Sequence, residues 1–534
     1  MSVSLAILSL LHQPAGRPNS ATRLFRNSPV LGWTLRRLAA CKSLSAITVL
    51  CWADQLAHVR QAAAAVEVVC IGERQPRPVM DLIAAARHWS EGWRGGLAGT
   101  CCHDLGFEPA AALGQAEARN ADAVVLVDPD AGLVDPALID SLVTHAQRTL
   151  EARYVFMPVA PGLSGLLLRT ELLRHFADNG GFPGRSLAYW PDLPGRDPIA
   201  NPECAPHPTP AARTLHRFVL DGQRQVERLS AATAALNGEL ASSDALTLVG
   251  RMDSAAIVDR LPREIVLELN TARATRAIFH PSTHLAISRP DLTVDLAAKV
   301  AAQAAAYDDT RFTLAGVGDS LLHPGFFEIL DAIRSSGIQT VHVETDLAGL
   351  SPAAVEQLCA TGVDLVSVHF PATSVGTYAA VMGVDALAPV MENMQRFAQA
   401  RHGRFVPILV PLFAKCGQNL REMEAWYDYW LRTLGVATII GPRDCAGQIP
   451  DASAVDMTPP RRVPCRRLQS RLTILSDGSA VPCEEDVLAR EKCGHVATDP
   501  LAEIWTKRLA SLRQSHQRSE YPALCGGCRQ WHRP

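Results

Sequence analysis

From Cys465 onward the chain holds five cysteines: Cys465, Cys483, Cys493, Cys525 and Cys528. In LCGGC, Cys525 and Cys528 enclose two glycines. That is a compact chelate, because glycine lets the backbone bend until both thiolates face one metal. Two thiolates rarely complete a metal site, so partners must come from elsewhere. The stretch CRRLQSRLTILSDGSAVPC, residues 465–483, supplies them. Leu472 to Leu475 reads as a short strand, Ser476-Asp477-Gly478-Ser479 as an Asp-Gly turn, and Ala480 and Val481 as the start of the return strand. A hairpin brings its flanks together, so the sulfurs of Cys465 and Cys483 can face one site. Four thiolates suffice for zinc or for a 4Fe-4S cluster. Zinc ribbons pair two short C-x2-C knuckles, whereas a whole hairpin splits the first pair here.

The elements that position these residues belong to a long chain. At 534 residues it exceeds one core, and several domains are expected. The formal net charge of -3 gives no electrostatic footprint for nucleic acid, and no Lys/Arg stripe interleaves with aromatics. No apolar run reaches the roughly 20 residues that span a bilayer. MSVSLAILSLL reads as a buried first strand rather than a signal segment, since it lacks a basic start and a cleavage site. A cytoplasmic location without membrane or nucleic-acid partners is expected. Of the 14 cysteines, Cys41, Cys51, Cys70, Cys204, Cys359, Cys416 and Cys445 are scattered and read as small buried hydrophobes. Cys101-Cys102-His103 has a metal-like composition but no second half nearby.

The Asp477-Gly478 turn, the CGHV segment, the LAEIW helix start and the terminal cysteine pair resemble the SPASM-type extension of radical S-adenosylmethionine (radical SAM) enzymes. The short form with one auxiliary cluster fits residues 460–534. The resemblance implies one 4Fe-4S cluster ligated by Cys465, Cys483, Cys525 and Cys528. Cys493 lies where such sequences have an apolar residue, and is expected to pack rather than ligate.

A barrel should precede such a module. Residues 261–455 alternate strand-like segments (EIVLEL, RFTLAG, QTVHVET, VDLVSVHF, RFVPILVPL, VATII) with helical ones. This is the βα pattern of a parallel sheet, and it resembles the partial (β/α)6 barrel of the radical SAM fold. In LAGVGDSLLHPG, the residues Gly316, Gly318 and Asp319 fall on the segment that, by this resemblance, cradles the amino group of S-adenosylmethionine. The family's C-x3-C-x2-C loop is missing. ELNTARATRAIFHP puts Arg273, Ala277 and His280 at the three positions. A guanidinium only donates and stays protonated, so it cannot ligate iron. This argues against radical chemistry and against S-adenosylmethionine as a working cofactor. Arg273 and Arg276 read equally as an anion site at the barrel mouth or as solvated surface, and His280 reads as a hydrogen-bonded loop residue.

Residues 1–200 read as α/β and resemble the GT-A-type nucleotidyltransferase fold of cytidylyltransferases. RLFRNSPVLGWTLRRL and VVLVDPDAGLVDPALID carry the likeness, and Asp130, beside Asp128, matches a metal-binding aspartate. The triphosphate loop is poorly kept: QPAGRPNSATRLF has Arg17 and Arg23 but no lysine, where triphosphate needs backbone N–H groups and concentrated positive charge. Magnesium and nucleotide at Asp130 are therefore expected to be lost. Residues 201–260 read as a linker followed by one long bridging helix from Ala211.

The expected protein is an α/β iron–sulfur protein of the radical SAM/SPASM superfamily without radical catalysis, its barrel receiving a small-molecule or protein ligand. An active S-adenosylmethionine enzyme with unusual ligation and a sugar-nucleotide nucleotidyltransferase are the alternatives. Whether the chain is an enzyme stays open in the sequence.

Overall fold

The computed structural model describes residues 4–64, 66–192, 197–401 and 403–533. The chain forms two compact units, the first ending at Ile257 and the second beginning at Val258.

In the first unit, β1 (Ser4–Ser9) is buried along its whole length, as its unbroken small and apolar run requires of a central parallel strand. A two-stranded ribbon of β2 (Leu24–Phe25) and β3 (Ser28–Pro29) follows. β4 (Ala46–Cys51), β5 (Glu67–Cys70), β6 (Ala123–Leu126), β7 (Tyr154–Phe156) and β8 (Leu166–Arg169) complete a sheet of order β5-β4-β1-β6-β8-β7. The first four strands of that order are parallel, and β8 pairs antiparallel with both β6 and β7. Alternation along β1 sends Leu5 and Ile7 into one core and Leu8 into another, so the sheet is covered on both faces.

The single long helix expected after Ala211 does not form. Thr209–Arg213 and Gln223–Ala232 are separate helices with extended chain between them. Phe218 and Leu220 explain the break. Both are fully buried, and their amides donate to the carbonyls of Pro161 and Asp130 at 2.8 Å. A straight helix would have turned this apolar run away from those partners.

In the second unit, β9 (Glu264–Leu267), β10 (Arg311–Leu314), β11 (Thr340–Thr345), β12 (Leu365–His369), β13 (Ile408–Ala414) and β14 (Thr438–Ile440) are all parallel and adjacent in chain order. Helices connect them, which is the (β/α)6 pattern expected from the sequence. The hairpin of β15 (Arg471–Ile474) and β16 (Ser479–Val481) then adds to the same sheet. β15 runs parallel to β9, with Arg471 opposite Glu264 and Ile474 opposite Leu267. β17 (Gly494–His495) closes the far edge. Leu472, Ile474, Trp505 and Leu509 share one buried core with Leu267, Phe312 and Val343.

Among the described residues no helix is long and apolar enough to cross a membrane.

Candidate metal centre

The turn between β15 and β16 is built as its residues dictate. Gly478 takes φ 87°, a left-handed conformation open to glycine. A side chain there would also strike the His495 ring at 2.7 Å. Asp477 Oδ1 accepts from the Ser479 amide at 2.9 Å and closes the turn. This fixes the two cysteines flanking the hairpin: Cys465 precedes the short helix leading into β15, and Cys483 follows β16 by two residues. Cys525 lies in the Ala523–Gly526 turn of helix. The Cys528 amide donates to the Cys525 carbonyl at 3.2 Å, which curls the C-x2-C chelate.

Cys465, Cys483, Cys525 and Cys528 line one cavity. Leu468, Leu524 and Trp531 wall it with apolar surface, and Arg462 caps it by donating to the carbonyls of Cys525 and Gly526. Burial, and then the neighbouring thiols, push Cys525 up to about 12. Burial likewise pushes Cys528 up to about 11 and Cys483 well above its ordinary value. Metal uptake here would displace protons. Among the described residues no three His, Cys, Asp or Glu side chains converge on a single ion position.

Cys493 is not among the residues lining that cavity. Its amide donates to the Ala480 carbonyl at 2.8 Å, its thiol donates to the Glu491 carbonyl at 3.4 Å, and it packs against the barrel core. Cys359 and Cys416 are also buried core residues. Cys101 donates its thiol to Asp104 Oδ1 at 3.2 Å.

At the carboxyl ends of the barrel strands, the loop after β9 carries Arg273, Ala277 and His280. The Arg273 side chain is 3% exposed, and its Nη1 lies 2.7 Å from Asp346 Oδ1. Its other nitrogens donate to the carbonyls of Val317 and Gly318. Asp346 also accepts from the Thr275 hydroxyl at 2.5 Å and meets His369 Nδ1 at 3.0 Å, while His369 Nε2 lies 3.2 Å from Glu344. Burial alone would lower His369, but the two carboxylates raise it to about 9. Arg273 is therefore neither a solvated surface residue nor an open anion site, because burial leaves the guanidinium paired. Arg276 is exposed. Ala277 is 1% exposed in the barrel core, and His280 Nδ1 pairs with the Ser282 hydroxyl at 2.9 Å.

Asp319 has both carboxylate oxygens engaged. Oδ1 accepts from the Leu321 amide, and Oδ2 from the Thr345 hydroxyl and the Asp346 amide. A Cβ on Gly318 would fall 1.9 Å from Asn270 Oδ1, and one on Gly316 would fall 2.5 Å from the Glu268 side chain. Packing of this loop on the strand and loop around Glu268 and Asn270 accounts for both glycines.

A second, larger cavity opens beside this network. Glu344 and His369 line it from the strand ends and His280 from the loop after β9, with Lys415, Arg443 and Arg467 among its cations. Arg467 reaches from this wall to Glu485 at 3.1 Å, and Glu485 lines the thiol cavity. The sequence held no signal for Asp346, His369 or Arg467 as site residues. They come from separate strands and loops, and only the sheet brings them together.

In the first unit, Asp130 is 3% exposed. Its Oδ2 accepts from Gln13 Nε2 at 3.1 Å, and Oδ1 faces the Arg23 guanidinium at 3.8 Å. Asp128 Oδ1 accepts from the Asp130 amide at 2.8 Å. Burial, followed by Asp128, pushes Asp130 well above the usual carboxylate range.

A family comparison falls on the thiol-bearing stretch. Residues 465–529 match the SPASM family, described as an iron-sulfur cluster-binding domain. A protein of Treponema pallidum (strain Nichols), described only as uncharacterized, is 26% identical over 230 residues, which is 41% of this chain and 64% of that protein. The chain thus spans under two thirds of that relative's length. Among solved structures, BtrN in complex with AdoMet and 2-DOIA covers 50% of this chain and 93% of its own at 14% identity, with a TM-score of 0.34. A cytidylyltransferase from Leptospira borgpetersenii covers 48% of this chain and 98% of its own at 13% identity, with a TM-score of 0.31. Residues 465–529 are thus a SPASM-type iron–sulfur cluster-binding domain.

Proposed function

We propose that the chain is a cytoplasmic iron–sulfur protein that carries one 4Fe-4S cluster on Cys465, Cys483, Cys525 and Cys528 and does not perform radical catalysis. One observation carries this reading: four cysteines from separate stretches line a single cavity. Zinc ribbons pair two short C-x2-C knuckles, whereas here the β15–β16 hairpin splits the first pair, and residues 465–529 match an iron–sulfur cluster-binding domain. When bound, the cube supplies one-electron chemistry or a structural crosslink. The chain's own residues hold it, wall it with Leu468, Leu524 and Trp531, and keep water out.

The buried Arg273–Asp346 pair speaks against a second cluster after β9, and the engaged Asp319 oxygens speak against S-adenosylmethionine. Both argue that the barrel mouth serves for binding. Lys415, Arg443, Glu344 and His369 give its cavity charges of both signs, suited to a polar ligand. Free thiols at all the described cysteines suit a reducing compartment.

Anaerobic reconstitution followed by iron, sulfide and zinc analysis tests the reading. About four irons and four sulfides per chain are expected for a Cys₄ cube. Near eight irons would sink the single-cluster reading, and stoichiometric zinc without sulfide would sink the cluster itself. With reductant and S-adenosylmethionine, no methionine should be released.

The first unit is expected to be catalytically silent. With CTP and magnesium, the full chain should release no pyrophosphate above background. Asp130→Ala should leave the fold intact, because Arg23 retains the Leu220 and Pro18 carbonyls. Sustained turnover by the parent protein, abolished in Asp130→Ala, would overturn this.

A further inference from the structure

His516 sits in the last turn of the Leu509–Gln517 helix. It is 1% exposed and lines the cavity ringed by Cys465, Cys483, Cys525 and Cys528. Its two ring nitrogens differ. Nδ1 accepts from the Cys465 backbone N–H at 3.4 Å. A backbone amide only donates, so Nδ1 is bare and the ring proton is on Nε2. That Nε2 is buried and has no hydrogen-bond partner among the described residues. A buried donor left unpaired is costly and rare in native chains.

The ring is not free to turn away. Tyr521 packs edge-on against it, with centroids 5.0 Å apart at 87°. The Arg462 guanidinium lies 3.8 Å from the Tyr521 ring centre and donates to the carbonyls of Cys525 and Gly526. Cys465 at one edge and the Tyr521–Arg462 stack thus tie the imidazole to two of the stretches that supply thiols.

We propose that His516 Nε2–H donates a hydrogen bond to a sulfur of the cluster held by the four cysteines, and so sets how readily that cluster accepts an electron. This rests on the cluster reading above. Hydrogen bonds to sulfur are one of the levers on iron–sulfur potentials. A donor stabilises the reduced form, which carries one more negative charge, and makes reduction easier. Iron ligation by His516 is a different arrangement. It would need a bare Nε2, which moves the proton to Nδ1 and sets it against the Cys465 N–H. His516 acts through a sulfur and is a positioning residue.

The experiment compares the full reconstituted chain with His516→Asn and His516→Gln, measuring iron, sulfide and midpoint potential while an electrode supplies the electron. Asparagine offers an acceptor near the place of Nδ1 but no donor in the cavity. Glutamine carries an amide N–H to the place of Nε2. About four irons are expected in all three proteins. In His516→Asn the reduction equilibrium should move about tenfold against the reduced form, about 59 mV for one electron, while His516→Gln stays near the parent. Iron lost in His516→Asn and His516→Gln would make the histidine a ligand and overturn the proposal. Equal potentials in three fully loaded proteins would overturn the hydrogen bond and leave the cluster standing. A parent without iron and sulfide would overturn the cluster reading, and this proposal with it.

Discussion

Cys483→Ser is expected to abolish the visible cluster absorption of the reconstituted chain, with iron falling from about four per chain toward zero. Cys483 follows the hairpin strand β16, and among the described residues the cysteines lining the cavity are Cys465, Cys483, Cys525 and Cys528 alone. The barrel should stay folded. So should the hairpin, because β15 is hydrogen-bonded to β9 and Leu472, Ile474 and Trp505 lie in the barrel core. Limited proteolysis should therefore nick only the segment beyond Gln517, where the C-x2-C chelate loses its anchor. Cys359→Ser and Cys416→Ser should keep full absorption, as packing cysteines, and so should Cys493→Ser. Full cluster content in Cys483→Ser, or its loss in Cys493→Ser, would mean that the ligand set is wrong. Equal loss at all five C-terminal cysteines would point to a fifth ligand or a second metal.

Arg273→Met should destabilise the chain by about 3 kcal/mol, the lower end of what removing one member of a buried ion pair costs. The substitution keeps most of the side-chain volume but strands Asp346, which is 1% exposed, with His369 and Thr275 as its remaining partners. Two carbonyls, those of Val317 and Gly318, also lose a donor. Denaturant unfolding of the full chain measures it, and cluster content should not change because the thiol cavity does not include this loop. A loss below about 1 kcal/mol, in the range of exposed pairs, would show that the arginine is solvated and that the loop after β9 is not locked.

The sequence by itself determined the local devices. The Asp477-Gly478 turn, the strands on either side of it and the Cys525–Cys528 chelate are set within a few residues, where the left-handed glycine and the alternation of apolar side chains leave little choice. Five of the six barrel strands were legible for the same reason, since β9 to β13 are short, mostly buried runs each followed by a helix, while β14 is only half-buried. The absence of cysteine at 273, 277 and 280 was also plain.

Only the tertiary structure decided what the loop after β9 does with these residues. Arg273, Asp346, His369 and Glu344 come from three βα segments, and their pairing depends on the lateral order of β9, β11 and β12. No local pattern encodes that. The extended run at Phe218–Leu220 was missed because its apolar spacing also fits a helix, and the carbonyls of Pro161 and Asp130 settle the choice. The same holds for the hairpin's place beside β9. From its residues the hairpin reads as part of a metal-held module, yet Leu472 and Ile474 alternate onto the barrel core once β15 docks there in register. His516 and Trp531 face the thiols for a similar reason: a helix anchored by Trp505 Nε1 on the Asp259 carbonyl, and a chain end curled by the chelate, carry them there. Side chains distant in sequence become one site when burial and backbone pairing, both non-local, fix the elements that bear them.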